Sequence, residues 1–300
     1  MRGVALSAAG LAARLPSQVA ESTTPTLEVV AEEVRKSFNN REVLHGISLS
    51  ITAGELVAVV GSSGCGKTVL LDNLTGLMRP DSGRVLVADH STPGSALVDL
   101  STLSSDEFDR VRLHWQIVFQ RNALYSGSVH DNIALWLNEH TEMNEAEVLA
   151  RVRESLEAAA LDVDDVIGKD RDELSGGMAK RVAIARAIAT DPRVIFYDEP
   201  TSGLDPVLGG HIHELIWAVH HRPLHQSGHT PQPRTTMVVT HDKELLRRLR
   251  PRIVMLDKGQ ICFVGSFDEF VGATTPEASQ YLQVMPVLHA RSPDYTEGVV

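Results

Sequence analysis

The chain has 300 residues, enough for one large domain or two small ones with an ample core. A composition of 43% hydrophobic and 22% charged residues is ordinary for a soluble globular protein, and the net charge of −11 argues against a dedicated nucleic-acid binder. Two cysteines, Cys65 and Cys262, imply no disulfide framework, and there is no run of about 18 apolar residues that could span a bilayer.

The first two dozen residues differ in composition from the rest. Met1 to Ala20 is rich in Ala, Ser and Leu, carries Arg2 and Arg14, and contains no acidic residue. We predict a flexible N-terminal extension over residues 1–24, either a disordered leader or the product of a misplaced start. A targeting peptide is the alternative.

Residues 27–60 show the pattern of strands and turns, and we predict an N-terminal antiparallel β subdomain there. The predicted strands are Leu27 to Val30, Val34 to Phe38 and Val43 to Ile51, with a turn signal at Asn39-Asn40. Phe38 precedes that turn. Its ring either packs in the core or stacks on an adenine ring, and both readings stay open at this point.

A glycine-rich loop follows the apolar run Leu56–Val60 and precedes a helical pattern. It fits G-x-x-x-x-G-K-[ST], the P-loop, whose backbone N–H groups and helix N-terminus suit phosphate. Lys67 is expected to contact the β- and γ-phosphates and Thr68 to bind Mg²⁺. The predicted nucleotide-binding residues are Gly61, Ser62, Ser63, Gly64, Cys65, Gly66, Lys67 and Thr68. A thiol reagent at Cys65 is therefore expected to block nucleotide binding.

The middle of the chain passes from turns to helices. We predict a turn at 79–83, a strand at 84–87, a loop over 89–105, a helix over 106–113 and a strand over 117–120. The pattern is then helical: Asn144 can cap a helix from Glu145 to about Leu161, and another helix follows residues 174–178. We predict an inserted α-helical subdomain at about residues 121–189.

The last third of the chain returns to apolar strands. We predict strands over 194–199 and 237–241, a helix over 206–219, and a hairpin that pairs 253–256 with 261–264. Alternation of strands and helices around the glycine loop predicts an α/β fold with a parallel-sheet core.

Four polar residues at predicted strand ends can take separate roles in phosphate chemistry. Asp198 can hold a Mg²⁺-bound water, and Glu199 can act as general base on the attacking water. Gln120 can bridge Mg²⁺ or water, and His241 can donate a hydrogen bond to the γ-phosphate. All four are expected at the carboxyl edge of the sheet, where ligands bind. The alternative for each, taken singly, is an ordinary polar loop residue.

A second phosphate-binding candidate lies in the helical insert. Ser175, Gly176 and Gly177 precede a helix, and a hydroxyl, two glycines and a helix N-terminus suit an anion. We expect that the insert cannot fold onto its own P-loop, so that two chains pair head to tail and each covers the nucleotide of the other. Ser175 can also be a simple helix cap, and both roles can hold together.

Taken in order, these motifs resemble the ATP-binding-cassette ATPase family. They are the P-loop, Gln120, Leu-Ser-Gly-Gly at 174–177, the Asp198-Glu199 pair, Ser-Gly-Leu-Asp at 202–205, and His241. The resemblance covers roughly residues 27–270. It implies a P-loop NTPase (RecA-like) core within an ATPase domain at 25–272, followed by a C-terminal extension at 273–300. It also implies ATP and Mg²⁺ in a dimer, with Phe38 as the adenine-stacking aromatic and Asp205 communicating across the interface.

Within that family, the run at 174–188 with Met178 after the glycines resembles the ATPases of Mce/Mla-type lipid transporters. So do Val118-Phe119-Gln120, Ala123-Leu124-Tyr125 and residues 278–282, whereas Arg121 and Asn122 depart from the small residues usual there. The resemblance implies a cytoplasmic ATPase on the inner face of the cell membrane. It implies as partners a second copy of the chain, an integral membrane permease and an Mce-domain lipid-binding protein, with no nucleic acid. The alternative is an importer of small polar solutes.

Two further clusters have alternative readings. A metal site or an ordinary loop could explain the histidines around an insertion at 221–236, which are His211, His213, His220, His221, His225 and His229. We favour the loop, because the spacing supplies no preorganised ligand set. Lipid head-group contacts or a solvated helix face could explain Arg247, Arg248, Arg250 and Arg252, and we favour the solvated face.

Overall fold

The computed structural model describes residues 26–91, 97–222, 224 and 234–283. The strands are β1 (Leu27–Phe38), β2 (Arg41–Thr52), β3 (Leu56–Gly61), β4 (Ser82–Val87), β5 (Val98–Asp99), β6 (Trp115–Val118), β7 (Val194–Asp198), β8 (Thr235–Val239), β9 (Arg252–Asp257) and β10 (Gln260–Gly265). The helices are α1 (Lys67–Leu74), α2 (Ser105–Arg112), α3 (Val129–His140), α4 (Glu145–Ala158), α5 (Val163–Val166), α6 (Gly176–Ala189), α7 (Pro206–His221), α8 (Lys243–Leu249), α9 (Phe267–Val271) and α10 (Pro276–Gln283), with a 3-10 helix at Arg171–Glu173.

The strands form two sheets. The first has the order β2-β1-β4-β5 and is antiparallel. The second has the order β10-β9-β3-β8-β7-β6, and its neighbours are parallel except for the β9–β10 hairpin. Helices α3 to α6 lie between β6 and β7 in the chain and pack on one another, and their buried apolar side chains belong to a cluster that continues into the central sheet and α7. This arrangement confirms the predicted fold class.

The central strands are apolar on both faces because both faces are covered. Val57, Ala58, Val59 and Val60 of β3 are fully buried, as is Val194–Tyr197 of β7. Continuous apolar runs of this kind are characteristic of parallel sheets with helices on both sides. The same two strands carry the P-loop and the acidic pair at their carboxyl ends, so the packing of the core holds both motifs at one edge.

Helix starts follow local capping chemistry. Ser104, Ser128 and Asn144 each accept hydrogen bonds from the first turn of α2, α3 and α4, and the acid three residues later bonds back in each case. Such reciprocal capping satisfies backbone N–H groups that have no partner within the helix. The predicted cap at Asn144 is therefore confirmed, and its helix ends at Ala158 rather than near Leu161.

Several other predicted element boundaries were wrong. Residues 27–38 form one strand rather than two, because a bulge with Glu33 at φ 50° absorbs the break in pattern. The predicted loop 89–105 contains β5, which adds an edge strand to the first sheet. The strand predicted over 117–120 ends at Val118, and that over 237–241 ends at Val239. Gln120 and His241 therefore follow their strands instead of closing them.

Helix α10 packs against the chain's own central sheet. Ala278 and Leu282 are buried in a cluster with Phe267 and Phe270 of α9. Ala278 and Leu282 were predicted to belong to the C-terminal extension. Residues 284–300, the extension at 1–24, and His225 and His229 lie outside the described ranges. None of the helices within those ranges combines the length and apolarity that a bilayer crossing requires.

Candidate nucleotide-binding site

The loop between β3 and α1 has a backbone conformation that depends on its glycines. Gly61 has φ 150°, and a Cβ atom there would lie 2.2 Å from the Leu256 carbonyl oxygen. Gly66 caps α1 at φ 106°, in the left-handed region that glycine adopts without steric strain. Lys67 Nζ donates to the carbonyl oxygens of Gly61 and Ser62, at 2.9 Å each. The loop is thus a closed cradle with a cation at its centre.

A cavity of about 980 Å³ lies over this loop. Its lining includes Gly61, Ser62, Ser63, Gly64, Gly66, Lys67 and Thr68 from the loop, and Gln120, Glu199 and His241 from the predicted catalytic set. The structure therefore brings residues from four separate segments of sequence to one edge of the sheet. Tyr281 of α10 also lines the cavity, and sequence reasoning missed it, because only tertiary packing places α10 there.

Asp198 ends β7 with an unusual electrostatic environment. Its Oδ1 atom is buried and has no hydrogen-bond partner among the described residues. Burial raises the pKa of Asp198, and the negative charges of Glu199 and Asp72 raise it further, against the attraction of Lys180 and Lys67. A carboxylate oxygen that is shielded from water and lies near other acidic groups is better suited to binding a cation than to stabilising the fold.

Glu199 and His241 form a direct pair. Glu199 follows β7 at φ 46°, a conformation uncommon for a residue with a side chain, and its N–H donates to the Val239 carbonyl at 2.9 Å. Its Oε2 lies 2.8 Å from His241 Nδ1. The Glu199 side chain is mostly shielded from solvent while that of His241 is exposed, and both residues line the cavity. The predicted base and the predicted phosphate donor are therefore in contact.

Gln120 lies two residues beyond β6 and donates from Nε2 to Ser202 Oγ at 3.1 Å. Its backbone carbonyl accepts a hydrogen bond from Lys180 Nζ at 2.7 Å. Burial lowers the pKa of Lys180 to about 8, and the Asp198 carboxylate opposes that shift. Sequence reasoning missed Lys180, because nothing in the sequence of α6 distinguishes it from Arg181 and Arg186 of the same helix.

Ser175, Gly176 and Gly177 of the Leu-Ser-Gly-Gly motif, which we call the signature residues, lie away from the cavity lining, as does Asp205. Ser175 caps α6, and its Oγ accepts from the Met178 N–H at 3.3 Å, while Gly176 and Gly177 make up the first turn. Asp205 caps α7 by accepting from the N–H groups of Val207 and Leu208. The cap that the sequence allowed at Ser175 is present, the cap at Asp205 was not predicted, and neither residue lines the cavity of the same chain.

Phe38, like Cys65 and Asp198, is a predicted site residue that the described cavity lining does not include. It ends β1 with 40% of its surface exposed, and Lys36 Nζ lies 5.8 Å from the centre of its ring. The ring is therefore not a core residue. An exposed aromatic face of this kind is free to stack on a planar ligand.

A buried network stands beside His241. Asp242 Oδ2 accepts from Thr201 Oγ1 at 2.7 Å and lies 2.8 Å from His213 Nε2. Burial alone would raise the pKa of Asp242, but hydrogen bonds from His213 and Thr201 bring it below its usual range. His213 thus has a carboxylate partner, and the described residues include no group of three that could hold a metal.

The Cys65 thiol is buried behind the loop, which bears on its predicted use as a probe of nucleotide binding. It is only 5% exposed and belongs to an apolar cluster behind the loop, and burial raises its pKa against the attraction of Lys67. We predict slow alkylation that Mg-ATP slows further, because a bound nucleotide holds the loop closed over the thiol. Mass spectrometry of the Cys262→Ser variant, alkylated with and without Mg-ATP, measures this rate at Cys65 alone. Equal rates with and without nucleotide would contradict nucleotide binding at the loop.

Comparison with known proteins agrees with this geometry. A family model described as ABC transporter matches residues 44–202. The chain is 34% identical over 261 residues to "Protein TRIGALACTOSYLDIACYLGLYCEROL 3, chloroplastic" of Arabidopsis thaliana, covering 84% of this chain and 72% of that protein. It is 33% identical over 257 residues to "Probable ribonucleotide transport ATP-binding protein mkl" of Mycobacterium leprae, covering 84% of this chain and 69% of that protein. A solved dimer of the ATP-binding cassette MJ0796 with ADP and Pi superposes with a TM-score of 0.68 at 28% identity, covering 79% of this chain and 98% of that one.

Proposed function

The chain belongs to the ABC transporter family, and on that premise we propose that it is the ATPase subunit of a Mce/Mla-type lipid transporter. ATP hydrolysis coupled to transport is the activity of this family. The proposal places the chain on the cytoplasmic face of a membrane, bound to a separate permease. The observation that carries the enzymatic part is the convergence of Lys67, Gln120, Glu199 and His241 on one cavity.

The cavity residues divide the chemistry of hydrolysis among themselves. On ATP binding, Lys67 exchanges its bonds to loop carbonyls for bonds to phosphate oxygens. Glu199 takes the proton of the attacking water, and the open position of His241 lets it donate to the γ-phosphate. The contact between Glu199 and His241 keeps the proposed base and the proposed phosphate donor next to each other in the cavity lining.

A Mg²⁺ ion fits the residues present, because Asp198 Oδ1 is buried without a hydrogen-bond partner among the described residues. Thr68, Gln120 and Asp198 are the oxygen-bearing side chains that would hold it, directly or through water. When bound, the ion would neutralise charge on the phosphate oxygens. Lys180 and Lys67 already partly offset the acidic surroundings of Asp198.

Two chains in head-to-tail contact would complete each nucleotide site. Ser175 and Gly176 form an exposed helix start, Gly177 behind them is buried, and none of the three lines the cavity of the same chain. A helix N-terminus with a serine hydroxyl is suited to the phosphates held by a second copy. The dimer of the cassette MJ0796 bound to ADP and Pi supports this assembly. One chain carries every motif that a homodimer needs.

A groove of about 480 Å³ next to Gln120 suits a permease helix. It runs between β6 and α3, and its apolar lining includes Trp115, Phe119, Tyr125, Leu135 and Trp136. Tyr125 is 58% exposed, and Phe119 and Leu135 are also exposed. Exposed aromatic and aliphatic side chains that line one groove mark an interaction site. Its position one residue from Gln120 would connect a bound permease to the nucleotide cavity.

Lipid is the substrate class that the sequence of the signature helix favours. Met178 followed by Ala179, Lys180 and Arg181 resembles the Mce/Mla-type ATPases, and the Arabidopsis relative is named for trigalactosyldiacylglycerol. A polar-solute importer is the second candidate, because the relative of Mycobacterium leprae is named for ribonucleotide transport at similar identity. The ATPase chemistry is common to both, so membrane partners must separate them.

Purification of the tagged chain from membranes in mild detergent tests the proposal. We expect a permease and an Mce-domain protein to copurify with bound phospholipid. Tyr125→Asp should reduce capture at least about tenfold, since it replaces the most exposed aromatic side chain of the groove with a charge. Leu149→Asp, a similarly exposed apolar position outside that groove, is the matched control and should have no effect. A solute-binding protein in place of the Mce-domain protein would contradict lipid transport.

A further inference from the structure

The backbone that carries Gln120 accepts hydrogen bonds from three cationic side chains, one in the 3-10 helix and two in α6. We call residues 119–125 the glutamine segment. Lys180 Nζ donates to the carbonyl oxygens of Phe119 at 3.2 Å and Gln120 at 2.7 Å. Arg186 Nη1 donates to the Ala123 carbonyl at 3.0 Å, and Arg171 Nη1 to the Leu124 carbonyl at 2.9 Å. Four carbonyls of the segment are therefore bound to α6 and the 3-10 helix before it.

Lys180 is the innermost of these contacts. Its side chain is 2% exposed, and both of its described bonds go to the glutamine segment. An ammonium group taken out of water is stable only where hydrogen bonds replace its hydration. The position of Lys180 and that of the two carbonyls are consequently interdependent: a shift of one requires a shift of the other.

The two ends of this contact serve different functions. Gln120 lines the nucleotide cavity of its own chain. Lys180 lies five residues after Ser175 on the same helix, a separation of about 7.5 Å along its axis. In the proposed head-to-tail dimer, Ser175 serves the nucleotide bound by the partner. Lys180 thus joins the lining of one site to the cap of the other.

The outer end of the segment reaches the groove proposed for the permease. The guanidinium carbon of Arg186 lies 5.4 Å from the centre of the Tyr125 ring, within the range of a cation–π contact. The Asn132 side chain accepts from the Tyr125 N–H at 2.7 Å and donates to its carbonyl at 3.1 Å. The segment is therefore fixed to α6 at both ends instead of acting as a free loop.

We propose that Lys180 is a positioning residue that transmits the state of Gln120 in one nucleotide site to Ser175 at the other. Gln120 moves when the γ-phosphate arrives or leaves, and the bonds of Lys180 carry that movement into α6. The signature residues then approach or leave the partner's nucleotide. This inference rests on the head-to-tail dimer of the proposed function.

The same helix supplies a matched control. Arg181 Nη1 donates to the Ala160 carbonyl at 2.7 Å, a bond that stays within the helical subdomain. Arg181→Met and Lys180→Met each remove one cation from adjacent positions of α6. They differ in that Lys180 donates to carbonyls of the glutamine segment, whereas Arg181 does not. A role in helix stability would affect both variants, whereas a role in positioning would affect Lys180 alone.

Steady-state hydrolysis of Mg-ATP by the full chain measures the effect. Lys180→Met should lower kcat about tenfold, the scale of one charged hydrogen bond, and should change KM by less than about twofold. Lys180→Arg, which keeps a cation that can reach carbonyls, should recover most of kcat. Arg181→Met should have the same kcat and KM as the unmodified chain. Equal losses in Lys180→Met and Arg181→Met, or no recovery in Lys180→Arg, would overturn the proposal.

A double-mutant cycle with Gln120→Ala gives a second, independent readout. If Lys180 acts through Gln120, Lys180→Met should change kcat by less than about twofold once Gln120 is absent. A full tenfold effect in both backgrounds would refute that route. Lys180→Gln takes the place of Lys180→Met if circular dichroism shows that the latter is unfolded. Absence of hydrolysis in the unmodified chain would instead refute the proposed function.

Discussion

Glu199→Gln is expected to slow ATP hydrolysis by about 10²–10⁴-fold while ATP binding survives. The amide cannot accept the proton of the attacking water, which is the role proposed for the carboxylate. It does keep the size of the side chain and an oxygen for the 2.8 Å contact with His241. The backbone at φ 46° is no less favourable for Gln than for Glu, so the fold should be retained.

Phosphate release under saturating Mg-ATP measures turnover in this variant, and equilibrium dialysis measures binding. Glu214→Gln is the control, because Glu214 is an exposed carboxylate on α7 that pairs with Arg248 away from the cavity. We expect unchanged turnover in the control and accumulation of an ATP-bound dimer in Glu199→Gln. Near-normal turnover in Glu199→Gln would remove the general-base role.

Ser175→Arg is expected to abolish ATP-dependent dimerisation while nucleotide binding to the P-loop survives. The bulky cation would occupy the helix start that the partner's phosphates must approach, and that start is absent from the chain's own cavity lining. Loss of the bond from the Met178 N–H costs about 1 kcal/mol of helix stability, too little to unfold the chain. Dimerisation should be lost and monomeric binding kept.

Light scattering and nucleotide binding, measured on the same protein preparation, test this separation. Ser104→Arg removes an equivalent cap from α2, outside the proposed interface, and should dimerise with ATP as the unmodified chain does. Equal loss of dimerisation and of nucleotide binding in Ser175→Arg would contradict the head-to-tail arrangement. Dimerisation that survives in both variants would contradict it as well.

Local features of the fold could be predicted from local sequence. Gly61 to Thr68 lie between a buried strand and a helix, as the spacing of apolar residues indicates. Asn144 and Ser175 cap helices, because the bond from a cap reaches only two or three residues along the chain. The strand before Gln120 was predicted two residues too long, since Phe119 and Gln120 continue its pattern but pair with no strand.

The sequence alone was sufficient to establish the family resemblance, the α/β class and a set of candidate residues for the nucleotide site. Those properties depend on short motifs and on the period of apolar residues, both of which are local. The contacts among the candidate site residues, in contrast, are set by the tertiary structure. Glu199 meets His241, and Lys180 meets Gln120, across 42 and 60 residues of sequence. The physical reason is the strand order β9-β3-β8-β7-β6, which makes neighbours of strands that are distant in the chain.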